Sequence, residues 1–128
     1  MSKKPGKANL TLHRNFIKNS EIPALHQQHG IYGAVTRMDA QGVSMCEAMA
    51  SGLPTVSFDI TAIGEFITSG KNGFLVKPYD LEEYAHHIQE LAENRQLFDK
   101  IALTGRASME NIDVRKTCKM EIDLAKSL

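Results

Sequence analysis

The sequence predicts an α/β fold in which a short parallel sheet is flanked by helices. Three short runs rich in β-branched or apolar residues, IYGAVT, TVSF and FLV, alternate with segments whose apolar residues recur at helical spacing. Turn residues Gly30, Pro54 and Gly73 precede these runs. Such alternation is typical of parallel strands joined by helical crossovers. The length of 128 residues is enough for one domain with its own core.

The first half of the chain divides into four predicted elements. Residues 1–10 are polar and rich in Lys, and we expect a disordered leader before a domain over residues 11–128. Loose alternation predicts a short strand over residues 10–16. A helix follows, with Ser20 as its cap, Pro23 in its first turn and Gly30 at its end. A strand over 31–36 then precedes a helix over 43–51, which Gly52 ends.

The second half begins with a buried strand over 55–58. One or two helical turns over 63–70 and a strand over 74–76 follow. Asp80 then caps a long helix with Glu83 at its third position, as in a capping box. Further helices are predicted over 96–109 and, more weakly, over 114–128. The residues expected on the buried face of the long helix are Leu81, Tyr84, Ala85, Ile88, Leu91 and Ala92, and those expected to face outward are His86, His87 and Glu90.

Composition argues against several classes of function. Lys and Arg total 15 and so do Asp and Glu, and this balance gives no support for a nucleic-acid partner. No apolar run is long enough to span a membrane. His26 and His29 lie three apart on one predicted helix, but no third ligand stands at a suitable spacing, so we expect no metal site.

Two carboxylates flank one predicted helix start. Asp39 precedes Gly42 in the loop, and Glu47 lies five residues into the helix, roughly 7–8 Å along its axis at 1.5 Å per residue. A helix N-terminus at the carboxyl end of a parallel strand favours phosphate, and a carboxylate is the usual acceptor for a ribose diol. The spacing therefore fits a sugar at Asp39, a diphosphate at residues 42–44 and a ribose at Glu47. The alternative is an amphipathic helix with one exposed Glu.

Residues 36–80 resemble a known family in register through several motifs. The family's stretch P-S-R-x-E-G-F-G, followed by E-A-M-A-x-G-x-P-V-V, corresponds to TRMDAQGVSMCEAMASGLPTV at 36–56. Its G-G-x-x-E-x-I, G-x-x-G-x-L-V and P-x-D segments correspond to TAIGEFI at 61–67, GKNGFLV at 70–76 and PYD at 78–80. The chain is thus similar, over about residues 16–109, to retaining glycosyltransferases of the GT-B fold and family-4 type, the glycosyl transferases group 1.

This resemblance implies part of a Rossmann-like domain, the C-terminal half of a GT-B fold. It implies transfer of a sugar from a nucleoside-diphosphate sugar (UDP, GDP or ADP) with retention, without a cofactor or an obligatory metal. Asp39 takes the place of the acid that faces the transferred sugar, and is the implied catalytic residue. The implied donor-binding residues are Gly42, Val43, Ser44, Glu47, Thr61, Ala62 and Glu65. For Glu65, a role at a helix start is an equal alternative.

The sequence also departs from the family pattern. Asp39 replaces Glu and is one methylene shorter, and Thr61 and Ala62 replace two glycines expected where backbone approaches ligand. Neither the family's diphosphate-binding loop nor its N-terminal acceptor domain has a counterpart here. Three cations lie near the relevant loops without an assignment to the diphosphate; these are Lys18, Arg37 and Lys71.

We therefore expect the donor-binding portion of a retaining glycosyltransferase, inactive as an isolated chain because its acceptor domain is missing. The alternatives are a non-catalytic nucleotide-sugar-binding or assembly module and a Rossmann-like domain whose ligand is a different nucleotide or none. We expect a cytoplasmic protein, with any peripheral membrane association made through the missing domain. The acceptor and the donor's base and sugar stay open.

Overall fold

A computed structural model describes residues 11–37, 42–112 and 114–128, and shows three short strands among helices. Short 3₁₀ helices occupy Asn19–Glu21, Thr61–Glu65 and Glu110–Ile112. In chain order the α-helices and strands are α1 (Ile22–Gln27), β1 (Tyr32–Ala34), α2 (Val43–Ala50), β2 (Thr55–Phe58), β3 (Phe74–Val76), α3 (Leu81–Glu93), α4 (Arg95–Met109) and α5 (Val114–Ser127).

The three strands form one parallel sheet in the order β1-β2-β3, which confirms the predicted fold class. Tyr32 is in register with Thr55, and Val56 is in register with Phe74. All four residues of the central strand β2 are buried, as expected for a parallel strand covered on both faces.

Side chains on the two faces of the sheet enter two separate apolar clusters. One cluster joins β2 and β3 to α3 and the middle of α4; its buried members are Val56, Phe58, Phe74, Val76, Leu91 and Ile101. The other joins α2 to the segment after β2 and the end of α4; its buried members are Met45, Met49, Ile63, Ile67 and Met109. Helix α4 contributes to both clusters and so holds the two helical layers together.

A turn before β3 fixes the C-terminal half of α4. The buried Asn72 side chain donates to the Phe66 carbonyl oxygen at 2.8 Å and to the Ser108 hydroxyl at 3.3 Å, and accepts from the Thr68 N–H at 2.8 Å. Gly105 permits this contact, because an added β-carbon there would lie 3.0 Å from the Asn72 carbonyl oxygen. The end of α4 is therefore locked to the sheet by polar bonds as well as by apolar packing.

Two predictions for the N-terminal part are wrong. The described part of the strand predicted over residues 10–16 is irregular; Thr11 and His13 lie across a groove of about 440 Å³ from β1 and form no strand. Ser20 does not cap α1, because a 3₁₀ turn precedes that helix and the Glu21 carboxylate accepts from the Lys18 N–H at 3.2 Å. The helix also ends at Gln27, before Gly30.

The segment predicted as helical over residues 63–70 is shorter and begins earlier, as the 3₁₀ helix Thr61–Glu65.

Helix α3 has its predicted N-cap, since the Asp80 carboxylate accepts from the Glu83 N–H at 3.1 Å. Its buried stripe is narrower than predicted: Leu81, Ala85 and Ala92 are exposed, because three short strands offer little surface to cover.

His87 was expected to face outward, and this is wrong. Its side chain is only 15% exposed, and its ring stacks on Phe74 with centroids 4.3 Å apart and planes 14° apart. The ring nitrogens lie 3.5 Å from Glu83 and 3.7 Å from Glu90, which flank the ring along the helix. A flat imidazole thus covers an aromatic ring at the sheet edge while its nitrogens stay near charged neighbours.

Of the helices in the described ranges, none combines the length and the apolar character needed to cross a membrane.

We predict that Gly33→Ala destabilises the fold by about 1–3 kcal/mol, because an added β-carbon would collide with the Tyr84 hydroxyl. Tyr84 cannot easily move, since its ring packs edge-on against Phe58 at a centroid distance of 5.5 Å. In a Tyr84→Phe background the nearest remaining ring atom would be at 3.5 Å, an ordinary contact. Urea unfolding should therefore show a much smaller cost of Gly33→Ala in that background; an equal cost in both would contradict this packing.

We predict that Tyr84 makes the unfolding free energy depend on pH in the alkaline range. Burial raises the pKa of the Tyr84 hydroxyl above its ordinary 10.0, and Tyr32 raises it further. The unfolded chain then loses this proton first, so the stabilisation is complete below pH 10 and is lost as the pH rises through the higher folded pKa. Above pH 10, the unfolding free energy of the native chain should therefore fall more than that of Tyr84→Phe, which lacks the titrating hydroxyl. A difference that is constant from pH 8 to 11 would contradict this.

Candidate functional site

The start of α2 and the 3₁₀ helix after β2 meet at the carboxyl edge of the sheet. Gly42 caps α2 with φ +62°, in the left-handed region. A β-carbon at Gly42 would lie 3.0 Å from Ile63 Cδ1 and 3.9 Å from a ring carbon of Phe66. Both the backbone angle and the space therefore require glycine, and its absence of a side chain lets the two segments pack directly.

Helix α2 presents two different sides. Met45, Ala48 and Met49 are buried against the sheet. Val43 is 54% exposed, Ser44 is exposed and Glu47 is half-buried. The side chains of Val43, Ser44 and Glu47 therefore lie on the part of α2 that does not pack against the sheet.

Glu47 lines an open groove of about 620 Å³ between α2 and the end of α4. The α2 residues in its wall are Val43, Cys46, Glu47 and Ala50. The remaining lining residues are Phe66, Arg106, Met109, Glu110 and Ile112. The floor is mostly apolar with a few charged groups, and the volume falls in the range of about 300–1,000 Å³ usual for small-molecule sites.

The other predicted site residues lie beside this groove or outside the described part of the chain. Asp39 belongs to residues 38–41, which are outside it. Thr61 and Glu65 are exposed and Ala62 is half-buried; all three lie on the 3₁₀ helix whose Ile63 packs under Gly42. The groove thus brings Val43 and Glu47 together, while Thr61, Ala62 and Glu65 border the start of α2.

Sequence reasoning missed the far wall of the groove. Arg106 and Ile112 come from segments assigned to no site, because no local motif marks them. Phe66 lies within the motif at 61–67, but at a position that the motif leaves unspecified. The helical spacing of Arg106 and Met109 put them near one face of α4, but only the packing of α4 on α2 shows that this face meets Glu47. Of the three cations singled out from sequence, Lys18, Arg37 and Lys71, none lines the groove and all are exposed.

The described ranges contain no cluster of three His, Cys, Asp or Glu side chains able to hold a metal ion.

The comparison with protein families decides the affiliation of the chain. The sequence profile of the family described as glycosyl transferases group 1 matches residues 2–108. The chain belongs to this family. The resemblance inferred from the motifs at 36–80 is thereby confirmed, and sugar transfer is the chemistry of the family.

Among curated relatives, this glycosyltransferase family member is 36% identical over 80 residues to the poly(ribitol-phosphate) alpha-N-acetylglucosaminyltransferase of Staphylococcus aureus. That match covers 62% of the chain and 16% of the relative. The chain spans less than a third of the length of the first curated relatives that it matches.

Solved structures place the fold among GT-B glycosyltransferases. The C-terminal domain of a glycosyl transferase group 1 protein (LpcC) from Francisella tularensis is similar with a TM-score of 0.69 and 28% identity, over 76% of the chain and 50% of that domain. A variant of TarM from S. aureus, solved with fondaparinux, alpha-GlcNAc-glycerol and UDP, is similar with a TM-score of 0.73 and 25% identity. That match covers 84% of the chain and 22% of TarM.

Thr61 supplies a test of the local backbone at this edge. It adopts φ +44°, where the family pattern has glycine. At most positions Ala is more stable than Gly by about 0.5–1 kcal/mol, but in the left-handed region a β-carbon costs about 1–2 kcal/mol. We predict that Thr61→Gly is more stable than Thr61→Ala by about 0.5–1 kcal/mol, as measured by thermal or urea unfolding. The comparison of two variants cancels the loss of the hydroxyl; an Ala variant more stable than the Gly variant would contradict the observed backbone angle.

Proposed function

We propose that this chain is the donor-binding portion of a retaining glycosyltransferase that uses a nucleoside-diphosphate sugar. The observation that carries the proposal is the position of Glu47, in an open groove one turn from the N-terminus of α2, in a chain of this family. A UDP, GDP or ADP sugar is the donor class considered.

Glu47 is proposed to accept hydrogen bonds from the two ribose hydroxyls. Its carboxylate is half-buried beside apolar side chains, so a hydrogen bond to it is less screened than one at a fully exposed site. In the stretch of chain that the structure describes, no cation lies within 4.0 Å of this carboxylate to compete for it. A diol is a suitable partner because it offers two donors to the two carboxylate oxygens.

The first turn of α2 is proposed to face the diphosphate. The helix begins at Val43, and its first N–H groups have no intrahelical acceptor. Val43 and Ser44 are exposed, so a phosphate can approach these donors. The positive end of the helix dipole favours the negative charge.

Asp39 is proposed to lie near the transferred sugar. In the transition state, positive charge develops at the anomeric carbon while the diphosphate departs with negative charge. Groups that stabilise both charges lower the barrier, and an acid before the helix with N–H donors at its start would meet both needs. Thr61, Ala62 and Glu65 are proposed as neighbours of the donor on the adjoining 3₁₀ helix.

Transfer also needs an acceptor site, which the resemblance assigns to a preceding domain. We therefore expect the 128-residue chain to bind a donor without transferring its sugar, and we expect transfer from the protein in which this domain is joined to its acceptor domain.

We predict that Glu47→Gln weakens binding of UDP, GDP or ADP, whichever the chain prefers, by about tenfold or more. The amide keeps the size of the side chain but removes the charge that strengthens both hydrogen bonds to the diol. Isothermal titration or NMR titration of the chain measures this change, and the 2′,3′-dideoxy nucleotide should be insensitive to the substitution.

Glu93→Gln provides the matched control, since Glu93 is exposed at the far end of α3 and accepts from Gln89. Equal affinity of the native chain and Glu47→Gln for every nucleotide, with Glu93→Gln also unchanged, would overturn the assignment of the ribose site. Absence of transfer by the longer protein from all three donor classes would overturn the proposed activity.

A non-catalytic module on the same fold is the second candidate, and Thr61 is the observation that favours it. The backbone of Thr61 has a left-handed angle where the family pattern has glycine, and its side chain lies next to the proposed donor. Asp39→Glu, Thr61→Gly and Ala62→Gly, combined in the longer protein, discriminate between the two candidates. Activity that appears only in the triple variant favours the module, whereas activity already present without these changes rejects it.

A further inference from the structure

We propose that Arg106 binds the diphosphate of the donor from the far wall of the groove. This inference rests on the proposed function and adds a residue from a segment that the family motifs do not include. It would supply a phosphate-binding cation, a role to which Lys18, Arg37 and Lys71 could not be assigned.

Arg106 faces the candidate donor groove. Arg106 lies on α4, one turn before the buried Met109, and lines the same groove as Val43 and Glu47. Among the groove-lining residues in the described ranges it is the cation, the other charged groups being Glu47 and Glu110. The groove that contains Glu47 and Val43, the first residue of α2, is therefore bounded on its other side by the helix that carries Arg106. A ligand that fills this groove with its ribose at Glu47 would meet Arg106 from the opposite side.

Arg106 forms no ion pair within 4.0 Å in the described part of the chain. Described ion pairs within 4.0 Å join His86 to Glu90, His87 to Glu83 and Glu90, and Arg95 to Asp99. In that part of the chain no carboxylate comes so close to Arg106, although Glu110 lies one helical turn away. An exposed guanidinium without an ion-pair partner keeps its donors for a ligand.

The backbone under Arg106 is held firmly. Gly105 packs against the Asn72 carbonyl oxygen, and Ser108 accepts from the Asn72 side chain at 3.3 Å. Met109 is buried in the cluster that contains Met45 and Ile63. Arg106 is thus carried on a segment fixed to the turn before β3, and only its own side chain needs ordering when a ligand binds.

The chemistry suits an arginine. A guanidinium presents several N–H donors in a plane and binds two phosphate oxygens at once, whereas an ammonium acts as a point charge. The apolar side chains of Cys46, Phe66 and Ile112, which also line the groove, reduce the screening of this charge. Glu110 opposes phosphate binding electrostatically, so the net benefit depends on direct contact by Arg106.

The test compares nucleosides with their diphosphates. The 128-residue chain is titrated with uridine and UDP, guanosine and GDP, and adenosine and ADP. For each pair, the ratio of the nucleoside Kd to the diphosphate Kd measures what the phosphates contribute. We expect Arg106→Gln to lower this ratio about tenfold or more and to leave the nucleoside Kd unchanged, with an intermediate ratio for Arg106→Lys.

Arg95→Gln is the matched control on the same helix. Arg95 is exposed, pairs with Asp99 at 3.2 Å and lies over the Phe98 ring, away from the groove. Its substitution removes the same net charge and should leave the ratio unchanged. An equal fall in both variants would mean a general charge effect and would overturn the contact that we propose.

Failure of this inference is distinguishable from failure of the proposed function. If Arg106→Gln leaves the ratio of nucleoside Kd to diphosphate Kd unchanged while Glu47→Gln weakens nucleoside binding, Arg106 does not bind the diphosphate, and the ribose site at Glu47 is still supported. If the native chain binds nucleosides through Glu47 but binds their diphosphates no more tightly, the proposed role of Arg106 is also wrong. If no nucleoside or diphosphate binds the native chain, both proposals fail.

Discussion

The packing of Gly42 against Ile63 and Phe66 is the constraint on which the candidate site depends. It joins the entrance of α2 to the segment that leaves β2, although these segments are separated by a full strand. Because no side chain intervenes, the first turn of α2 and the 3₁₀ helix share one edge of the sheet. Any larger residue at Gly42 would meet both a steric limit and an unfavourable backbone angle.

Helix α4 gives this edge its second wall. Its middle packs with β2, β3 and α3, while its end packs with α2, so one helix bridges both apolar layers of a small sheet. The bonds of Asn72 and the close approach at Gly105 fix the register of that end. A groove with charged groups on opposite walls and an apolar floor results, and such a setting strengthens polar contacts with a ligand.

The segment after β2 contains a strained backbone angle next to the candidate site. Thr61 holds a left-handed angle that glycine would adopt without cost, and it does so beside the entrance of α2. Backbone strain of this kind persists only when the surroundings over-determine the conformation, and here buried Ile63 anchors the segment. A threonine thus holds, in this chain, a backbone angle that favours glycine.

The sequence by itself determined the fold class, the three strands and most helix positions, and it predicted a donor site at residues 42–47. These are local properties, since strand and helix periodicity, caps and motif spacing are written in short stretches of chain. It predicted a strand over residues 10–16 and an outward His87, because periodicity does not reveal whether a strand finds a partner or which ring a histidine covers. Only the tertiary structure placed Arg106, Phe66 and Ile112 opposite Glu47, since contacts between distant segments follow from how helices pack and not from any local pattern.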